Sequence, residues 1–332
     1  MAGSSAVGRK VLLYFAWSRP QETGAPLAVI DNRFPALFES RRMLYPRYEA
    51  LSDPQRFDQG IGGFLDFIQR QNFVAFVELA RARCGSTVAE AERGGDDGAQ
   101  RPLDDDLLGS ADTVIVISFD SLRTAQTASA QEVTAVQRFL ADPDHLLFVC
   151  PHHDIGVVPD LPNDERMALQ LAEFTHHGDR TIPPQQRFGG FARSLLAGLG
   201  VPVENRFGLR PAVEADGRPA PIEAARELDR LHLLEGIGSL NLHAHLPHLE
   251  RRADAVHKLE VLARQRIDPA APPHPFVQER GLLFDALLQS HRDVFAGTLL
   301  IGDATLWSST AGGLDNLQRL WTNVLERERR RP

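Results

Sequence analysis

TVIVISFDSLRTAQTASAQEVTAVQRFLADPDHLLFVCPHHD, residues Thr113–Asp154, holds the pattern that decides the fold. TVIVIS (Thr113–Ser118) is a β-branched apolar run of strand length. AQEVTAVQRFL (Ala130–Leu140) has apolar residues at helical spacing, with Ser129 placed to cap its start. LLFV then runs into Cys150, and the chain turns polar at Pro151, His152, His153 and Asp154. Strand, helix, strand with short connections is a βαβ unit of a parallel sheet covered on both faces. Ligands bind beyond the carboxyl ends of such strands, so Cys150, His152, His153 and Asp154 stand where chemistry is expected.

Outward from this unit, VLLYFAW (Val11–Trp17) predicts the first strand and Phe64–Gly85 an amphipathic helix stopped by Gly85. Residues 31–63 read as irregular, and Glu92–Asp106 (ERGGDDGAQRPLDDD) as a mobile acidic surface loop. Helices are expected at Asn163–Phe174, Gly190–Leu199 and Pro221–Leu234, and extended chain near Pro202–Arg210. Val256–Arg266 fits helix or strand. Residues 269–275 (PAAPPHP) are a loop, Gly297–Leu306 a strand followed by a turn, and Leu314–Glu328 a closing helix. With 332 residues and no internal repeat, the pattern favours one elaborated domain spanning residues 1–332 over two.

Composition narrows the function. A formal charge of −8 lacks the basic face of a nucleic-acid binder. No run approaches the roughly 18 apolar residues that span a bilayer. The N-terminus lacks the apolar core of a signal peptide, and the two cysteines do not suggest a disulfide framework. A cytoplasmic protein follows as the simplest expectation.

Two segments, Asp112–Gly156 and Gly297–Leu325 (GTLLIGDATLWSSTAGGLDNLQRLWTNVL), together resemble the class I glutamine-amidotransferase-like superfamily, especially its trehalose-utilisation-like (ThuA-like) branch. The resemblance covers about a quarter of the chain. It implies a three-layer, flavodoxin-like α/β sandwich with a mainly parallel central sheet and elaborated loops. In that superfamily the nucleophilic Cys sits between glycines beside two backbone N–H donors. Here Pro151 follows Cys150 and has no N–H to offer. The His-x-Glu pair that such enzymes carry near the C-terminal end is not expected here either, so glutaminase chemistry is not carried over.

The candidate groups suggest three chemistries. Cys150 is a nucleophile if His152 or His153 holds it as thiolate, and a spectator if it packs in the strand. Twelve histidines include clusters at His145, His152 and His153, at His176 and His177, and at His243, His245 and His248. The His243-x-His245 spacing puts both rings on one side of a strand. With Asp154, Asp179 or Asp303 these imidazoles suit a divalent metal. Asp303 ends an apolar strand, either as a turn cap or as a ligand contact. Asp120 stands in the corresponding place after Ser118, and Arg123 beside it suits an anion. Phe188–Phe191 (FGGF) lacks a P-loop Lys and any dinucleotide fingerprint, so no nucleotide cofactor is expected. The leading expectation is a small-molecule hydrolase or related enzyme acting on a small polar substrate. The alternatives are a non-catalytic ligand- or partner-binding module, or a metal-dependent hydrolase or oxygenase. A homo-oligomer or protein partner is compatible with each.

Overall fold

The structure, a computed structural model, describes residues 8–18, 70–95, 97–118, 126–155, 185–188, 190–243, 246–269 and 275–329. Its centre is one eight-stranded sheet. In chain order the strands are β1 (Val11–Ser18), β2 (Val88–Gly94), β3 (Thr113–Ser118), β4 (Leu146–Pro151), β5 (Glu223–Ala224), β6 (Leu259–Arg266), β7 (Leu283–Ser290) and β8 (Thr298–Gly302). They lie in the order β2-β1-β3-β4-β8-β7-β6-β5. The first five are mutually parallel, and β7, β6 and β5 are added antiparallel. A parallel order of second, first, third, fourth, fifth is the flavodoxin-like winding, whose direction reverses between β1 and β3.

Four main helices cover the sheet: α1 (Gln71–Cys84), α2 (Ala130–Phe139), α3 (Gly190–Gly198) and α4 (Leu314–Glu326). Strand alternation sorts the side chains between them. Val11, Leu13, Phe15, Trp17, Ile115, Ile117, Leu146, Phe148 and Cys150 join the cluster beneath α1 and α4. Leu12, Tyr14, Ala16, Val114, Val116, Leu147 and Val149 join the one beneath α2 and α3. The molecule is therefore a three-layer α/β sandwich. On the first face Phe76 meets Trp307 edge-on at 4.7 Å and Trp321 at 5.7 Å between ring centroids. Each such fully buried apolar side chain contributes about 1.5–3 kcal/mol relative to exposure.

Local chemistry explains the element ends. Ser129 and Glu132 form a reciprocal capping box at the start of α2, satisfying two helix donors that would otherwise lack partners. Gly85 closes α1 with φ of 70°. Gly302 ends β8 where a Cβ would stand 2.7 Å from a Leu306 methyl. A larger residue there would have to displace the Leu306, Phe148 and Leu287 side chains that close over the strand end.

Three expectations change. Residues 92–106 are not one loop: β2 runs to Gly94 and Asp104 caps a short helix at Asp105–Leu108. Leu103 N donates to Glu132 at 3.1 Å and Tyr14 donates to Arg101 O at 2.8 Å, so the intervening chain is tied to the sheet. Glu90 and Glu92 enter a strand because Arg70 and Arg81 neutralise them. The helix expected at Pro221–Leu234 is instead β5 followed by turns. There Asp229 accepts from Leu234 N at 2.6 Å, Arg226 donates to the carbonyls of Leu234 and Ile237, and His232 has φ of 54°. Side-chain bonds to the backbone replace the helical ladder. Finally, β7 is a strand that the sequence pattern did not reveal. Residues 31–63 and the helix expected at Asn163–Phe174 lie outside the described residues.

Candidate functional site

Adjacent parallel strands β4 and β8 end side by side, with Ile301 opposite Val149. The backbone N–H of His152 donates to Ser118 O at 3.1 Å, which prolongs the β3–β4 ladder by one rung and fixes where the ring starts. From β8, Asp303 follows Gly302. The two side chains meet: His152 Nδ1 lies 2.7 Å from Asp303 Oδ1, both residues being buried. The Nδ1 proton is thereby committed to the carboxylate, and Nε2 becomes the basic nitrogen of the ring.

The carboxylate is held at both oxygens. Oδ2 of Asp303 accepts from Thr305 N at 2.9 Å and from the Thr305 hydroxyl, capping the one-turn 3-10 helix Ala304–Trp307. Of the two roles left open for Asp303, the turn cap is the one seen, made by one oxygen, while the other oxygen meets the His152 imidazole. Thr305 Oγ1 in turn accepts from Asn241 Nδ2 at 2.6 Å, and Gln265 Nε2 donates to Asn241 O at 3.0 Å. Gly313 anchors this segment; a Cβ there would stand 2.4 Å from Leu240 O. Two residues on, the His243 ring meets that of His152 edge-on at 5.1 Å.

Burial on its own would raise the pKa of Asp303, but its neighbours prevail. The charge and hydrogen bond of His152, then the His243 ring, then the Thr305 hydroxyl hold its carboxyl below the ordinary carboxylate value. An ionised, doubly anchored Asp beside an imidazole fixes the tautomer and orientation of that ring. The arrangement is that of an oriented general base.

Cys150 is in a different environment. It lies at 0% exposure in the apolar cluster below the pair. Trp307 Nε1 donates to its sulfur at 3.0 Å, and its thiol leans towards Phe148 O at 3.6 Å. Burial drives its thiol well above the ordinary value, only partly relieved by the indole N–H, with the charge of Asp303 adding to the rise. A neutral buried thiol is a poor nucleophile.

The remaining candidates separate. His153 and Asp154 sit in a short strand (His153–Ile155) paired with Gln185–Phe188, and only their backbone is described. His248 is buried elsewhere. Its Nε2 accepts from Arg206 N at 3.0 Å, and its ring lies against Phe207 and Phe276. The chain does contain a His-x-Glu spacing, His248-Leu249-Glu250, contrary to the expectation that none stands near the C-terminal end. Glu250 pairs with Arg280 at 2.8 Å and Arg206 at 3.0 Å, so this pair serves an ion cluster. Asp120, Arg123, His176, His177, Asp179 and His245 lie outside the described residues. Among the described residues no three His, Cys, Asp or Glu side chains are grouped to hold a metal ion. Among the described residues, the imidazoles of His152 and His243 are brought into ring contact. Asn241, Thr305 and Trp307 carried no sequence signal; only the fold brings them to the strand ends.

No protein-family model matches the sequence. No curated protein matches it. Among solved structures, the protein is similar to a putative ThuA-like protein from Bacteroides uniformis, at 9% identity and a TM-score of 0.40, over 98% of this chain and 93% of that one. It is also similar to the exo-β-1,4-mannosidase Op5Man5 from Opitutaceae bacterium strain TAV5, at 10% identity and a TM-score of 0.33, over 79% of this chain. This chain spans 32% of the mannosidase's length. Among the described residues no helix is long and apolar enough to cross a membrane.

Proposed function

We propose that the chain is an enzyme of the amidotransferase-like fold that hydrolyses or rearranges a small polar substrate at the ends of β4 and β8. His152 is the general base, Asp303 orients it, and Cys150 is a spectator. The observation that carries this reading is the 2.7 Å contact of His152 Nδ1 with Asp303 Oδ1. It lies at the sheet edge where α/β enzymes place their reacting groups. The chemistry needs no thiolate, since an oriented imidazole activates water or a substrate hydroxyl by removing its proton.

The test is a turnover screen of the purified protein against small esters, lactones and amides, repeated with variants on whatever is converted. His152→Ala is expected to lower kcat/KM by about 10²–10⁴, with Asp303→Asn lowering it in the same direction through the wrong tautomer. Cys150→Ala stays within a few-fold of wild type. A His152→Ala protein that keeps full activity sinks the proposal. The burial of Cys150 also favours a second reading, a non-catalytic module of the same fold with the pair as part of a ligand pocket. Saturable binding without turnover is its signature. A cytoplasmic location, and a homo-oligomer or protein partner, go with either reading as proposals.

A further inference from the structure

Beside the pair stands a second imidazole. The rings of His152 and His243 meet edge-on with their centroids 5.1 Å apart. His152 is buried and His243 is partly exposed, so His243 is the more accessible of the two. The fold holds His243 there through its neighbours. Leu242 N donates to Ala311 O at 2.7 Å, Asn241 Nδ2 to Thr305 Oγ1 at 2.6 Å, and Gln265 Nε2 to Asn241 O at 3.0 Å. The chain entering His243 is therefore docked on residues 303–311, the same segment that carries the Asp303 carboxylate. Nδ1 of His243 is buried, which leaves Nε2 as the nitrogen to meet a substrate. The charge of His243 also acts on Asp303, adding to that of His152 in holding the carboxyl below its ordinary value. One carboxylate beside two imidazoles balances one positive charge, and a second positive charge so close to the first is disfavoured.

We infer that His243 is the general acid of the reaction in which His152 is the base, and that the substrates are acyl compounds with basic leaving groups: alkyl esters, lactones and amides. This rests on the reading given under Proposed function. As His152 Nε2 takes a proton from water, the water oxygen bonds to the carbonyl carbon and the carbonyl π pair moves onto its oxygen. When that pair returns, the bond from carbon to the leaving oxygen or nitrogen breaks, and His243 Nε2 gives the leaving atom a proton. A carboxylic acid and an alcohol or amine result. His152 ends with one proton more and His243 with one fewer, and exchange with water restores both. One carboxylate thus faces one imidazolium throughout, on His243 before the step and on His152 after it. Rings in contact can each reach one of two atoms bonded to the same carbon, at the roughly 3 Å that proton transfer requires. A base acting alone would have to expel an alkoxide or amide anion.

The leaving group separates the acid from the base. The acyl group found in the turnover screen is presented as its ethyl ester, whose alkoxide must be protonated to leave, and as its 4-nitrophenyl ester, whose phenolate leaves unaided. His243→Gln is expected to lower kcat/KM by about 10²–10⁴ on the ethyl ester and to stay within a few-fold of wild type on the nitrophenyl ester. His152→Ala lowers both. Circular dichroism checks that each variant is folded. An equal loss on the two esters makes His243 a structural residue and overturns the inference, as does no loss on either. If His243→Gln does not fold, the wild type decides: comparable kcat/KM on the two esters upholds the acid, and a steep fall from the nitrophenyl to the ethyl ester overturns it. Conversion of no ester, lactone or amide removes the catalytic reading and this inference together. A His152→Ala protein inactive on both esters, beside a His243→Gln protein as active as wild type on both, removes this inference alone.

Discussion

The two ends of the central sheet both bury charge, but in opposite styles. At the amino ends of the strands, Arg9, Asp112, Asp144 and Arg327 form a closed network. Arg9 bonds Asp144 at 2.5 Å and the carbonyls of Arg327 and Glu328. Arg327 bonds Thr113 Oγ1 at 2.7 Å and the carbonyls of Val324, Asp112 and Asp144. Burial, and then the adjacent Arg9, push Arg327 down to about 9, against the pull of Asp112 and Asp144. This network joins the entries of β1, β3 and β4 to the chain leaving α4, and its bonds are directed inward at the protein itself. At the carboxyl ends, His152 and Asp303 form a compact pair, anchored through Thr305 to Asn241. Charge paired within a buried network leaves nothing for a ligand and is costly to break, whereas an imidazole held at one nitrogen keeps the other for chemistry.

The largest expected effect lies at the amino end. Arg327→Ala removes one partner of a buried ion network, so urea or thermal unfolding should show a loss of about 3–5 kcal/mol. Any activity per folded molecule should be unchanged, and a stable but inactive Arg327→Ala protein would erase the contrast. At the other end, His152→Ala should abolish function while unfolding at a stability within about 1–3 kcal/mol of wild type, the cost of leaving Asp303 without its imidazole. A smaller change separates the thiol from the site. Cys150→Ala leaves a small cavity, costs about 1–2 kcal/mol, and preserves turnover or binding. Consistently, native protein near neutral pH should leave Cys150 unmodified by iodoacetamide, followed by mass spectrometry. Rapid labelling would move it back among the reacting groups.

The smallest effect concerns acid. The carboxyl of Asp303 is lowered in the folded state, so the folded protein binds its proton less readily than the unfolded chain, whose Asp titrates near about 3.9. The resulting stabilisation is full above that value and is lost as pH falls through it towards the lower folded one. Asp303→Asn should therefore flatten the acid limb of a stability–pH curve in that window and leave its neutral-pH slope alone. An unchanged acid limb would mean that the pair adds nothing to folding.

Much of the scaffold was legible because its signals are local. The β-branched run ending at Ser118, the Ser129 cap, the Gly85 stop and the apolar run into Cys150 each depend on a few neighbouring residues; both strands and the capped helix formed within a residue or two of their expected bounds, and the helix before Gly85 ended where it was expected to, its described part starting at Gln71. Where side chains compete with the backbone, as at Arg226 and Asp229, local pattern misled. The strand at Leu283–Ser290 escaped because short apolar runs do not distinguish strand from helix.

The sequence by itself determined a parallel α/β sheet buried on both faces and a polar cluster at the exit of β4, since apolar period and capping chemistry act over a few residues. It also named His152 and Asp303, separately. Only the tertiary structure decided that these two, 151 positions apart, share a hydrogen bond while Cys150, two residues from His152, does not join them. Along a strand, successive side chains alternate across the sheet and are carried into the core or past its edge. The partner each one meets is set by the neighbouring strand's register and by the turn that follows it, neither of which is written in the residues next to it.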